Sequence, residues 1–415
     1  MNTYKRLGLC SLLVSSTTMG AQTSIKGVVD VRASIVDSVK SYAAGGYGKL
    51  GLDDGSQLSL SQAALEFGIE WDNNISAHIV ANAYANEFEQ NIGVTEAFLK
   101  YRSLPTEQGY RWQNRTGIFY PKISLENNAI GWASINTLNS STINTWIGEE
   151  VRVLGSEFSI TRLGKFNDSE FDTTFSLSAF VNNDPTGALL AWHGWSLGNQ
   201  QTLWTESREI APFMAHQPGG DIEAQAQKSD PFLEVDNRVG YHAMLELKKA
   251  KKGHVAVGFY NNRGRPYIVK NGQYAWQTRF AHAQAVYHFD KTLQLSAQVL
   301  SGDTLMQHPT RTDAVNNDYH SGYVALSKRI AKHRFTGRIE SFGIEDNDNT
   351  YGDNNDEHGT ALTLSYQYRL SKGWFLGSEY NVVDSYRPSR WYAGEPRKLK
   401  EQQLQFSARY FFQHK

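Results

Sequence analysis

Between Ala361 and Leu370 the side chains alternate without a break. Leu362, Leu364, Tyr366, Tyr368 and Leu370 fall on one face, and Thr363, Ser365, Gln367 and Arg369 on the other. A period of two with one wholly apolar face marks a strand lying between an apolar and a polar medium. The end of the chain repeats it, with Leu404, Phe406, Ala408, Tyr410 and Phe412 against Gln403, Gln405, Ser407 and Arg409. About sixteen such segments succeed one another, from residues 25–35 to residues 401–412.

The connections between them fall into two alternating sets. One is short: Asp72 to Ile75, Leu104 to Gly109, Lys249 to Lys251, Asp290 to Lys291 and Ser371 to Gly373. The other is long: 36–57, 121–149, 184–237, 263–273, 303–318, 343–358 and 385–400, with Phe88 to Ile92 as its one short member. A soluble sandwich has no reason to keep this alternation, whereas a membrane barrel with tight turns at one rim and long loops at the other does. The pattern therefore predicts an all-β fold, a transmembrane antiparallel β-barrel of about sixteen strands formed by residues 22–415 as one domain. An even strand count puts both ends of the barrel at the short-turn rim.

One stretch breaks the array. Pro121 to Glu150 shows neither a sustained period of two nor a helical period. A structureless insert of that length within a regular array points to function. The expectation is a third outer loop folded into the bore and narrowing it.

Composition agrees with a barrel: 21 Tyr, 20 Phe and 10 Trp against 10 Pro in 415 residues favour strands. No run approaches the ~18 apolar residues of a spanning helix. A net charge of -1 gives no reason to expect a nucleic-acid partner. Lys5 and Arg6, the apolar run Leu7 to Val14, and Met19-Gly20-Ala21 have the layout of a secretory signal peptide, assigned to residues 1–21. The expected location is the cell outer membrane, with its lipid and lipopolysaccharide as partners. The only cysteine, Cys10, lies inside the signal, so residues 22–415 hold no disulfide, zinc thiolate or cysteine nucleophile.

About sixteen strands leave an aqueous lumen, and the polar faces should line it. Those faces carry Lys26, Asp30 and Arg32, then Glu66 and Glu70, then Glu96, Lys100 and Arg102. Further on they carry Arg111, Arg115, Arg334, Arg338, Arg369 and Arg409. Closing the last strand on the first gathers Arg32, Arg334, Arg338, Arg369 and Arg409 on one arc. The insert brings Glu126, Glu149 and Glu150 with a single Lys122. Basic wall against acidic loop would set a transverse field across the constriction; the alternative is charges that only pair and hydrate. Trp132 and Trp146, among Asn, Ser and Thr, either stack on sugars or anchor the loop.

Asp346, Asp348, Thr350 and Glu357 have the spacing of positions one, three, five and twelve of a calcium loop, but Tyr351 stands where the turn needs glycine. The stretch reads as a solvated outer loop, and no metal or cofactor is expected. No nucleophile-elbow, zinc-protease or phosphate-loop motif is found, and His242, His282 and His320 lie singly on strands.

The run Glu96-Ala97-Phe98-Leu99-Lys100-Tyr101, with Arg115 to Glu126 (RTGIFYPKISLE), resembles the phosphate-selective porin O and P family. That resemblance implies a sixteen-stranded passive channel with an inward third loop, assembled as a homotrimer. The function expected is passive diffusion of small hydrophilic solutes, anions or sugars among them, without catalysis. The alternatives are an outer-membrane enzyme with its site among the outer loops, or a scaffold or adhesin acting through the loop 184–237, with Trp192, Trp195 and Trp204 facing a partner.

Overall fold

The computed structural model describes residues 21–85 and 91–414; the signal-peptide assignment over residues 1–20 and most of the short connection Phe88 to Ile92 lie outside these. Sixteen strands close into one antiparallel barrel. In chain order they are β1 (Ala21–Asp37), β2 (Gly55–Trp71), β3 (Ile75–Ala83), β4 (Ile92–Arg102), β5 (Tyr110–Phe119), β6 (Val153–Arg162), β7 (Phe171–Val181) and β8 (Gly240–Lys249). They continue with β9 (Gly253–Asn261), β10 (Gln277–His288), β11 (Leu293–Gln307), β12 (Asp313–Ile330), β13 (His333–Asp346), β14 (Glu357–Arg369), β15 (Trp374–Tyr386) and β16 (Lys398–His414). Each strand pairs with its neighbours in sequence, and β16 pairs with β1, from Asp37 opposite Gln402 to Ile25 opposite His414. Closure gives every strand two neighbours, so no row of backbone N–H and C=O groups is left to face lipid.

The alternation sorts the side chains as the sequence pattern predicts. On β1, Val29, Val31 and Ile35 are exposed outside, while Val28, Asp30, Arg32 and Ser34 are buried within. On β16, Phe406 is exposed and Gln403, Gln405, Ser407 and Arg409 are buried. Leu65, Leu99, Val257, Val299, Ile339 and Leu364 continue the outward apolar surface. Water at this surface would cost roughly 25 cal/mol per Å² of apolar area, which a bilayer removes.

Tight turns at the rim that also carries the strand termini need left-handed residues, and Asn74 (φ 64°) and Gly373 (φ 83°) supply two of them. One predicted long loop is corrected. Where 303–318 was expected, β11 and β12 run on and leave only residues 308–312 between them. Thr304 and Asn317 are buried on the inner face there, and polar residues on both strands hide the apolar alternation that marks the rest.

Three of the other long connections fold inward. Residues 38–54, 120–152 and 182–239 enter the barrel, and the last contains the short helix α2 (Ala188–His193) and a two-residue ladder of Arg208–Glu209 with Lys228–Ser229. Two apolar clusters result inside the wall, one built on Trp146, Trp195, Phe280 and Tyr319 and one on Trp192, Phe213, Trp276 and Met306.

Candidate functional site

The insert spans the bore and is bonded to the wall around it. Just before it, Tyr120 N–H donates to Glu96 at 3.1 Å. Lys122 reaches Ser159 Oγ at 3.4 Å and Glu157 at 3.6 Å. Midway, Gly131 C=O accepts from Gln62 Nε2. Across the bore, Asn139 Nδ2 donates to Glu379 at 3.0 Å and to Gln405 at 2.7 Å. Thr142 N–H donates to Glu340 at 2.8 Å, and Asn144 Nδ2 to Gln298 Oε1 at 3.0 Å.

A helix ends the insert, α1 (Thr142–Glu150), where the sequence showed no helical period. Ser141 caps it, its hydroxyl accepting from Asn144 N–H. All nine residues are buried, so no solvent face exists to produce an amphipathic pattern.

The predicted arc of arginines exists, but the charges of Arg32, Arg338 and Arg409 are paired rather than opposed across water. Asp30 accepts from Arg32 at 2.8 Å and from Arg409 at 2.9 Å. Arg338 pairs with Glu340 at 2.8 Å and with Glu126 of the insert at 2.9 Å. The remaining N–H groups of these arginines hold insert carbonyls: Arg32 that of Leu138, Arg409 that of Ser134, and Arg338 those of Asn139 and Ser140. Arg334 likewise bonds Ile135 C=O, while Arg369 stays exposed at the short-turn rim. A charge withdrawn from water must be neutralised and hydrogen-bonded, so all of the arc but Arg369 fastens the loop.

Glu149 and Glu150 also depart from expectation, because neither lines open water, and Trp146 takes the anchoring role that was the alternative to stacking on sugars. Trp146 is 2% exposed, packed edge-on against Trp195, Phe280 and Tyr319. Its indole N–H donates to Glu150 at 2.6 Å, and the same carboxylate accepts from Leu189 N–H at 2.9 Å and Gly187 N–H at 3.2 Å. Glu149 meets Arg208 at 3.2 Å and His193 Nε2 at 3.5 Å. Burial pushes the Glu149 carboxyl up to about 8 against the pull of Arg208, and Glu150 up to about 7 against its backbone donors. The acids of α1 therefore tie the insert to the loop 182–239 stacked over it. That stacking also corrects the partner-facing reading of Trp192 and Trp195, which are 1% and 0% exposed; Trp204 lies over the Arg152 guanidinium at 5.1 Å.

The first outer loop joins the same stack. Lys49 is buried against Glu357 and donates to His193 C=O at 2.7 Å. Burial pulls its ammonium down to about 7 against the field of Glu357. In the calcium-like stretch, Asp346 accepts from Asp348 and Asn355 N–H and Asp348 from Thr350 and Asn316 N–H, so these carboxylates shape the loop.

Beneath the insert, toward the short-turn rim, lies a cavity of about 430 Å³. Lys122, Arg115, Glu66, Glu246 and the half-buried Trp132 are among its lining. The predicted residues Lys100, Arg102 and Arg111 lie on the β4–β5 wall leading to it, with Lys100 paired in register to Arg115 and Arg102 to Gln113. Lys100, Arg102, Arg111, Arg115 and Lys122 thus form a basic column from the rim inward. Arg115 is steadied by Glu157 at 3.1 Å and by the Phe119 ring at 4.1 Å.

On the outer side a much smaller space of about 20 Å³ touches Ser59, Ser61, Asn199 and Gln200, room for about one water. Side-chain amides stand between the two spaces. Gln62 Nε2 donates to Asn82 Oδ1 at 2.9 Å, and Asn82 Nδ2 donates to Gln201 Oε1 at 3.1 Å and Thr95 Oγ1 at 3.0 Å. Sequence reading missed Gln62, Asn82, Gln201, Glu340 and Glu379. The period of two puts the strand residues among these on the inner face, but nothing in the sequence brings Gln201 to them.

Comparison with family models finds no match, and comparison with curated proteins finds none either. Solved structures do match. The outer membrane channel DcaP of Acinetobacter baumannii aligns with TM-score 0.57 at 11% identity, over 95% of this chain and 98% of that one. OmpF of Salmonella typhi, in complex with daunomycin, aligns with TM-score 0.53 at 11% identity, over 94% and 97%. An anion-selective porin from Comamonas acidovorans aligns with TM-score 0.50 at 12% identity, over 95% and 100%.

At these identities the likeness is one of fold. The chain is a transmembrane β-barrel of outer-membrane type. Its closed sixteen-stranded architecture is similar in fold to the outer membrane channel and the two porins with which it aligns.

Proposed function

We propose that the protein is a diffusion channel for small hydrophilic solutes, with the insert and the loop over it setting a narrow passage. The observation that carries this is the amide bridge of Gln62, Asn82 and Gln201. Hydrogen-bonded side chains between two polar spaces are a barrier that rotamer changes open, unlike a packed apolar wall. The basic column ending at Lys122 supports solutes that bear a carboxylate or other anionic group, and an anion-selective porin is among the structural neighbours. The two arginines bound to Asp30 are committed to holding the insert and add little to selectivity.

A homotrimer belongs to the proposal as the assembly that porin resemblance implies, and a mass of three chains plus detergent in light scattering would support it. The direct test of selectivity is reversal potential across a salt gradient. Replacing Lys100, Arg102 and Arg111 together with Gln shifts it toward cations; an unchanged potential would show that the column does not bias entry.

A further inference from the structure

Two unlike charges face the cavity beneath the insert. Lys122 keeps 37% of its side chain exposed there. Glu246, on β8, lines the same cavity and makes no ion pair or hydrogen bond among the described residues. The other two cavity carboxylates are engaged: Glu66 is held by Lys26 at 2.7 Å, and Glu96 accepts from Tyr120 N–H at 3.1 Å.

Lys122 keeps its ammonium edge toward the cavity although Glu157 stands 3.6 Å from it, and register sets its separation from Glu246. Lys122 lies against Ser159; Ser159 pairs with Ser176, and Ser176 with Met244. Glu246 is thus two strands across and two residues toward the rim from the point Lys122 touches. At ~4.8 Å per strand and ~3.3 Å per residue this is about 12 Å between backbones. The Glu246 side chain shortens it further. The remaining gap suits one small molecule with an anionic and a cationic end, hydrogen-bonded at each. The same cavity also offers Pro121, Leu125 and the Trp132 ring, which leans on Tyr120 at 4.7 Å. That surface suits an apolar side chain.

Resting on the channel reading, we propose that this cavity is a subsite for zwitterionic solutes of the α-amino-acid class. The carboxylate turns to Lys122 and the ammonium to Glu246. A simple anion of the same size satisfies Lys122 but brings its charge toward Glu246 uncompensated, and a sugar uses neither charge. Discrimination therefore comes from the unfavourable pairing as much as from the favourable one.

The test is initial uptake of radiolabelled alanine, lactate and glycerol into proteoliposomes holding the full chain. Alanine and lactate differ at one position, ammonium against hydroxyl. The expected result is alanine uptake about tenfold faster than lactate, the effect of one close charge contact. Glu246→Gln should remove that gap, and Lys122→Met should lower the ratio of alanine to glycerol. Equal uptake of alanine and lactate by the unaltered protein overturns the subsite and leaves the channel standing, as does a gap that survives Glu246→Gln. If none of the three enters, the channel reading fails instead. Equilibrium dialysis of labelled alanine against the detergent-solubilised protein then decides the subsite: saturable binding abolished by Glu246→Gln supports it, and no binding overturns it.

Discussion

Glu150 holds a carboxylate inside the barrel by converging donors upon it: one indole N–H and the backbone N–H groups of Gly187, Leu189 and Leu190. Glu150→Ala should strand these four buried donors, at about 1–3 kcal/mol each where water does not reach them. The effect expected is faster protease cleavage within residues 184–237 with the barrel still heat-resistant in gels; unchanged cleavage would mean that the loop does not depend on this carboxylate. Glu149 makes a pH prediction. Its folded value is raised from 4.5 to about 8, so its contribution to the packing is whole below ~4.5 and is lost as pH rises toward 8. Arg208, His193, Glu150 and Glu206 face it, and Lys49, whose value falls to about 7, acts in the opposite sense only above that. Cleavage in 184–237 should therefore rise between pH 5 and 7, and Glu149→Gln should flatten that rise.

At the scale of elements, what the sequence made legible was whatever touches two media. Every strand with lipid on one face and polar matter on the other announced itself, down to the assignment of Gln405 and Phe406 to opposite sides. The insert was visible because it broke the pattern. Its contents were not, since α1 is surrounded by protein and carries no stripe, and Glu149 and Glu150 read as charges at the constriction when they are interior ones. The stacking of 182–239 on the insert was hidden for the same reason: its contacts join residues far apart in sequence through side chains as ordinary as Asn183 and Thr186. A local test of the amide bridge follows. Gln62→Ala with Gln201→Ala should raise conductance several-fold by removing two of the side chains between the two spaces, and no rise would place the passage elsewhere.

For the whole molecule, the barrel and its filling are separable. Strand pairing runs through the backbone ladder and closes between β1 and β16 without the insert, so residues 127–144 can be deleted with the sheet intact. The wall residues beneath are then uncovered. A cysteine at Ser407, 6% exposed under the insert, should label slowly with a membrane-impermeant thiol reagent in the full chain and rapidly in the deletion. A cysteine at Phe406, on the outer face, should stay protected by lipid in both.

Single-channel conductance in planar bilayers reaches the central claim, that loops folded into a sixteen-stranded barrel set its passage. The full chain should show small, flickering steps, and deletion of residues 127–144 should give larger and steadier ones from a barrel that still assembles. Large, steady steps of equal size from both proteins would contradict it.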